Sequence, residues 1–205
     1  MLSLQTIQPD TLELLKRLAV QPELQETRLV GGTALALQYG HRQSVDLDFF
    51  GRLPQDPEEL LAMASKVGQV VIHSRSKLIL QLAIDEVKVD FVEYSRYAWI
   101  DAPIEENGFI LASDKDIAAM KVNAIMGRGT RKDFIDLYVL LQRYSLAEIM
   151  GFYRQKYPES SEYRALISMT YFEDAEMQTM PTMFIPTSWE EMKSVIIQAV
   201  KAYQQ

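Results

Sequence analysis

The chain has 205 residues, enough to bury a full core as one domain or as a catalytic domain with a helical appendage. Apolar content of 48% against 24% charged is that expected of a soluble globular protein, and no apolar run reaches the length of a membrane span. The absence of cysteine excludes disulfides and thiolate metal sites, and a net charge of −7 argues against broad, charge-driven nucleic-acid binding.

The opening Met-Leu-Ser-Leu-Gln-Thr lacks the charged and apolar regions of a signal peptide, so a cytoplasmic location is expected. Apolar residues at 12, 14, 15, 18 and 19 predict a helix over Asp10 to Ala19. Arg28 to Val30 reads as a short strand feeding the turn Gly31-Gly32-Thr33. A short apolar helix, Ala34 to Tyr39, is closed by Gly40. Next comes a strand over Val45 to Phe50, with Val45, Leu47 and Phe49 on one side and Asp46 and Asp48 on the other. Two carboxylates on one strand face repel unless a cation lies between them, and paired hard oxygens of this kind suit Mg²⁺ together with substrate phosphates. A glycine turn at a helix start brings backbone N–H groups close to a phosphate. The two halves together read as a metal–triphosphate site, with Arg42 and Ser44 on the approach.

Pro57 suits the first turn of a helix running to about Val67, where Gly68 stops it. Strands are predicted over Val70 to Ile72, Leu78 to Ile84 and Val87 to Tyr94, the last two joined by a two-residue Asp85-Glu86 turn. In the third of these strands Lys88 and Asp90 share a face. Phe109 to Leu111 reads as a further short strand. Ser113 is the expected N-cap of a helix reaching about Met126, with stops at Gly127 and Gly129. Lys121 falls within that helix's apolar stripe, so it must snorkel outward or meet an anion. A helix from Arg131 to Tyr144 follows, carrying Asp133 and Asp136 on one face. Asp136 is expected to orient Lys121 or Arg128. Further helices are predicted from Ser145, with a capping box to Glu148, over Ser161 to Phe172, and over Ser188 to Tyr203, with Glu191 in the matching position. Met177 to Pro186 reads as a connector. The stretch Ile117 to Lys132 has no acid and holds Lys121, Arg128, Arg131 and Lys132, whereas the chain from Pro158 onward is acidic.

Gly31-Gly32-Thr33, a short helix, and Arg42-x-Ser44-x-Asp46-x-Asp48-Phe49-Phe50 resemble the first motif of the polymerase-β-like nucleotidyltransferases. The closer resemblance is to the AbiEii/AbiGii toxin family of bacterial abortive-infection and toxin–antitoxin systems. That family's motif is usually Gly-Ser, so Thr33 departs from it while keeping the hydroxyl. The likeness extends through Asp90 to the stretch Asp116 to Leu141, where Lys132-Asp133-x-x-Asp136-Leu137 matches a family pattern. It implies an α/β (α+β) fold, with a nucleotidyltransferase core carrying a mixed sheet over residues 1–112. A helical C-terminal part over residues 113–205 would complete the active site.

The resemblance further implies transfer of an NMP from an NTP. Asp46, Asp48 and Asp90 would be catalytic and would bind Mg²⁺ (or Mn²⁺). Gly32, Thr33, Arg42 and Lys121 would bind the nucleotide, and Ser44, Arg128, Asp133 and Asp136 would support them. The acceptor would be RNA, such as a tRNA 3′ end, or protein; Arg128, Arg131 or Lys132 would contact it, and a cognate antitoxin would be a further partner. Replacing Lys121 by Met is expected to leave the fold intact. A different class remains open, a non-catalytic nucleotide-sensing or partner-binding module on the same fold. Against it stands the joint presence of the three carboxylates, Thr33 and Lys121.

Overall fold

The first half of the chain combines three α-helices with seven strands. They are α1 (Pro9–Ala19), β1 (Thr27–Leu29), α2 (Gly31–Tyr39), β2 (Leu47–Gly51), α3 (Pro57–Val67), β3 (Val70–Arg75), β4 (Ile79–Ile84), β5 (Val87–Glu93), β6 (Ile104–Glu106) and β7 (Phe109–Leu111). The structure is a computed structural model and describes residues 1–205. The seven strands form one sheet in the order β3-β4-β5-β2-β1-β7-β6. It is mixed, because β2 runs parallel to β5 and β1 parallel to β7 while the other neighbours are antiparallel. These elements lie in a compact unit made of Met1–Ala98 and Ala102–Ala112.

The core of this unit follows from the sequence periodicities. Leu47 and Phe49 of β2 and Val89 and Phe91 of β5 are buried, and the Phe49 and Phe91 rings stack with centroids 5.8 Å apart. Burying side chains of this size contributes about 1.5–3 kcal/mol each. Leu60, Met63, Ala64 and Val67 of α3 are buried at helical spacing, and Asp56 caps the helix by accepting from Glu58 N at 2.9 Å. Asp85 and Glu86 both take positive φ, 47° and 69°, the backbone of a two-residue hairpin turn.

Several boundaries and one strand differ from expectation; α2 begins at Gly31 rather than Ala34, and β3 runs to Arg75 rather than Ile72. β2 starts at Leu47 rather than Val45, because the residues before it are held by other partners. Ser44 N donates to Thr6 O at 2.9 Å, and the Thr33 hydroxyl takes the Asp46 carbonyl. β6 was not expected. It pairs with β7 across an Asn107-Gly108 turn whose φ values are 55° and 78°.

A second compact unit comprises Trp99–Asp101 and Ser113–Gln205. Its helices are α4 (Asp114–Gly127), α5 (Arg131–Leu141), α6 (Leu146–Lys156), α7 (Glu162–Met169), α8 (Glu173–Glu176) and α9 (Trp189–Tyr203). Most starts are where hydroxyl caps predict them: Ser113, Ser145, Ser161 and Ser188 each accept from a first-turn N–H. Ser145 and Glu148 form the expected capping box, whereas Glu191 instead accepts from the Thr187 hydroxyl at 3.1 Å. α5 stops at Leu141 and α7 at Met169, both short of the expected ends, and α8 follows after a turn.

α4 is buried on several sides, with Ile117, Ala118, Ala119 and Val122 inaccessible. Phe134, Phe172 and Trp189 form an aromatic cluster beside it, with centroids 4.8 to 6.1 Å apart. The unit also encloses an ion pair. Lys156 Nζ lies 2.7 Å from Asp116 Oδ1, both side chains are fully buried, and the Trp99 ring covers the ammonium at 4.5 Å. Asp116 also accepts from Ile100 N at 2.9 Å, Asp101 N at 3.3 Å and Ser113 Oγ at 2.6 Å. No helix of the chain is long and apolar enough to cross a membrane.

Candidate functional site

In the first unit β1 leads through Val30 into α2, so Gly31, Gly32 and Thr33 are its first three residues and their N–H groups lack intrahelical acceptors. Val30 N donates to Asp48 O at 2.9 Å, fixing the helix start against β2. Gly31 has φ 69°, and a Cβ there would run into Asp48 Oδ2; a Cβ on Gly32 would run into Nη2 of Arg42. A side chain at either position would displace a charged group, a carboxylate at Gly31 and a guanidinium at Gly32, and Gly31 also has a left-handed φ that favours glycine. Arg42 is only 1% exposed, and its Nη1 donates to Gln43 O at 3.0 Å. The Thr33 hydroxyl lies 2.8 Å from Ser44 Oγ and also meets the Asp46 carbonyl. Thr33 and Ser44 thus tie the helix start to the backbone just ahead of β2.

The register of the sheet brings Asp48 and Asp90 together. They are directly paired across the parallel β2–β5 ladder, and their side chains share one face of the sheet. Like charges directly opposite destabilise a sheet unless a counter-charge is present. On β5, Lys88 Nζ lies 3.2 Å from Asp90 Oδ2. From β4, Gln81 Nε2 donates to the same oxygen at 3.0 Å. Asp90 Oδ1 is buried with no hydrogen-bond partner. An unmet buried acceptor costs about 1–3 kcal/mol, which a cation beside it would offset.

Asp46 lies ahead of β2, outside the ladder, and no three acidic or histidine side chains converge closely enough to hold an ion among themselves. The three expected carboxylates are therefore not drawn into one ligand cluster. Mg²⁺ does not demand one, since it commonly takes one or two carboxylates and completes its shell from phosphate and water. The orphaned Asp90 oxygen and the glycine cradle on Asp48 both fit such an ion. A cavity of about 440 Å³ in this unit, lined by Leu53, Pro57, Lys77, Leu78 and Glu93 among others, includes none of these residues.

In the second unit Lys121 meets anions rather than snorkelling. Its Nζ lies 2.9 Å from Asp133 Oδ1 and 2.6 Å from Asp136 Oδ2, so the expected Asp136–Lys121 partnership is present. Arg128 Nε reaches Asp133 at 3.2 Å, and the Thr130 hydroxyl at 2.6 Å completes a capping box on α5. Burial pushes the Asp133 carboxyl up, but Lys121, Arg128 and the Thr130 hydrogen bond outweigh it and hold the pKa at about 2.

The basic stretch divides. Arg131 is committed to α8, donating to the carbonyls of Ala175 (2.9 Å) and Glu176 (2.6 Å) and stacking over Trp189 at 4.8 Å. Arg128 keeps 65% of its side chain exposed.

The model of the family described as "Nucleotidyl transferase AbiEii toxin, Type IV TA system" matches residues 13–202. The chain belongs to the AbiEii toxin family. It is accordingly a nucleotidyltransferase, with a family match that takes in both units. An uncharacterised protein of Aquifex aeolicus is similar over 182 residues at 37% identity, covering 85% of this chain and 86% of that protein. Among solved structures, the nucleotidyltransferase toxin MenT4 of Mycobacterium tuberculosis is similar with a TM-score of 0.58 at 16% identity, over 92% of this chain and 79% of that one. A putative nucleotidyltransferase of Helicobacter pylori gives 0.54 at 18% identity, over 96% and 97%. At such identities these two likenesses speak for the fold of the AbiEii chain.

Sequence reasoning passed over Gln81, yet a signal for it existed. The two-residue turn at Asp85-Glu86 pairs Ile84 with Val87, and counting back along both strands places Gln81 opposite Asp90.

Proposed function

We propose that this AbiEii-family chain transfers an NMP from an NTP to an acceptor hydroxyl, with Asp46, Asp48 and Asp90 as the carboxylates that share divalent cations, Mg²⁺ or Mn²⁺, with the phosphates of the substrate. The carrying observation is the direct pairing of Asp48 with Asp90 on parallel strands, with the α2 glycine turn pressed against Asp48. When bound, such ions activate an attacking oxygen and offset the charge of the leaving pyrophosphate.

The chain's own groups have separate parts in this reading. Asp46 and Asp48 stand on the nucleotide side, and Asp90 stands on the side of the attacking hydroxyl. The N–H groups of Gly32 and Thr33, at the positive end of α2, receive the β- and γ-phosphates. The Thr33 side chain is engaged with Ser44 and Asp46, so its contribution to phosphate binding comes through the backbone while its hydroxyl steadies Asp46. Arg42 offsets triphosphate charge. In the second unit Lys121, oriented by Asp133 and Asp136, is the lysine assigned to a phosphate in this reading.

The acceptor is proposed to be RNA gripped near its reacting end, such as a tRNA 3′ end, since the net charge of −7 disfavours a long track. Arg128 and Lys132 are the bases offered to its phosphates. A cognate antitoxin is the partner proposed from the family's type IV toxin–antitoxin description, and the cytoplasm is the proposed location. The test is incubation with each α-labelled NTP, Mg²⁺ and total tRNA. Label should enter RNA with the parent protein and be lost in Asp48→Asn, which keeps or raises Tm because repulsion with Asp90 is relieved. Full transfer by Asp48→Asn, or in excess EDTA, overturns the reading.

A further inference from the structure

The two oxygens of Asp90 are treated unequally by the fold. Oδ2 receives the Gln81 amide at 3.0 Å and the Lys88 ammonium at 3.2 Å, while Oδ1 is buried without a hydrogen-bond partner. The terminal torsion of an aspartate is broad and nearly two-fold, so the side chain itself does not select which oxygen is presented or at what angle. The donors on Oδ2 make that selection.

Those donors differ in how firmly they are held. Gln81 is the direct cross-strand partner of Asp90 in the β4–β5 ladder, and its own strand is paired on its other side with β3, where Ser74 faces it. Its position relative to Asp90 is therefore set by the regular β4–β5 ladder. Lys88 lies two residues along the same strand on a flexible stem, with 46% of its side chain exposed, where solvent screens the charge. The chemistry of residue 81 also matters. A neutral amide donor grips one oxygen without bringing a charge of its own, whereas an acid here would repel the carboxylate and an apolar residue would release it.

We propose that Gln81 is a positioning residue for nucleotidyl transfer, pinning Oδ2 of Asp90 so that Oδ1 is reserved for the reacting groups and their divalent cation. The proposal rests on the reading of Asp90 as an active-site carboxylate. Groups that orient a ligating carboxylate typically change metal affinity or activity by about 10–100-fold when removed.

The experiment compares Gln81→Leu and Gln81→Glu with Lys88→Met and Asp90→Asn. Mn²⁺ binding is measured by electron paramagnetic resonance on the protein without nucleotide, and kcat and KM for NTP are measured with labelled substrate. Gln81→Leu should keep its Tm, bind Mn²⁺ at least about tenfold more weakly, and lose kcat by a similar factor at unchanged KM for NTP. Gln81→Glu should lose more on both measures, and serves alone if the leucine variant does not fold. Lys88→Met, which removes the less firmly held of the two donors, should lose less than Gln81→Leu on both measures. If Asp90→Asn is inactive while both Gln81 variants keep the parent's Mn²⁺ affinity and kcat, Gln81 has no positioning role. If Asp90→Asn itself transfers at the parent's rate, the reading of Asp90 fails and the role of Gln81 fails with it.

Discussion

Lys121→Met tests how the second unit tolerates an unbalanced charge. The side chains of Lys121, Asp133 and Asp136 are 6%, 1% and 0% exposed, and one ammonium serves both carboxylates. Removing one partner from a buried pair costs about 3–5 kcal/mol, because the other charge is left in a poorly solvated place. Asp133 retains Arg128 at 3.2 Å and the Thr130 hydroxyl at 2.6 Å, so most of the loss falls on Asp136. A loss of this size is a large share of the ~5–15 kcal/mol by which domains are stable. It also exceeds the ~1.4 kcal/mol of a tenfold loss in NTP affinity, so the variant's folding must be measured before its binding is interpreted. The expectation that methionine leaves the fold intact is therefore replaced by one of marked destabilisation. Urea unfolding followed by circular dichroism reads the first effect, and calorimetric NTP titration well below the unfolding range reads the second. The acid limb adds a check. The Asp133 pKa is held at about 2 against 3.8 unfolded, so the folded state gains stability above the unfolded value and loses it as pH falls toward 2. The gain at neutral pH is on the order of 2 kcal/mol, from about 1.36 kcal/mol per pKa unit. The gap between Lys121→Met and the parent should narrow from pH 7 to pH 3, as the stranded carboxylates protonate. A variant within about 1 kcal/mol of the parent at pH 7 would refute the argument, since even the low end of the buried-pair range exceeds that. Unchanged NTP affinity would separately remove Lys121 from the phosphate.

Gly31→Ala should cost about 1–2 kcal/mol through its left-handed φ and, more tellingly, displace the Asp48 carboxylate that its Cβ would strike. Transfer activity should fall far more than Tm, and an active Gly31→Ala enzyme would show that the turn need not press on Asp48. Arg131→Ala should lower stability by about 1–3 kcal/mol through orphaned α8 carbonyls, whereas exposed Arg128→Ala should instead flatten the salt dependence of transfer to RNA. Equal salt slopes in parent and Arg128→Ala would send the search for the acceptor contact elsewhere, with a protein acceptor the next to test.

Elements whose ends are written in local chemistry were legible from sequence. Pro57, Ser113, Ser145 with Glu148, and the Asp85-Glu86 turn are each signals confined to a few residues, and the structure places them as expected. β6 escaped because three residues carry too little periodicity, although Asn107-Gly108 is a hairpin signal in its own right. The alternation around Asp46 and Asp48 was visible, but not the escape of Asp46 from the ladder, which depends on a threonine hydroxyl from another element. Pairing of Asp48 with Asp90 joins strands distant in sequence, and parallel register has no turn to set it. The same distance hid the commitment of Arg131 to the α8 carbonyls and of Lys156 to Asp116.

The segment Trp99–Asp101 makes neither unit a continuous length of polypeptide. The chain leaves the sheet unit after Ala98, contributes three residues to the helical one, and returns to add β6 and β7. A ribosome therefore delivers Trp99 and Ile100 well before Asp116 and Lys156, the residues that receive them, have been made. Until α6 is complete, the tryptophan has no ammonium to cover. A gene cut at Ala112 would give one fragment with a stray apolar strap and another with an uncovered lysine–aspartate pair. Expression of separate halves is thus a poor route to this protein, and fragment complementation would have to restore the strap.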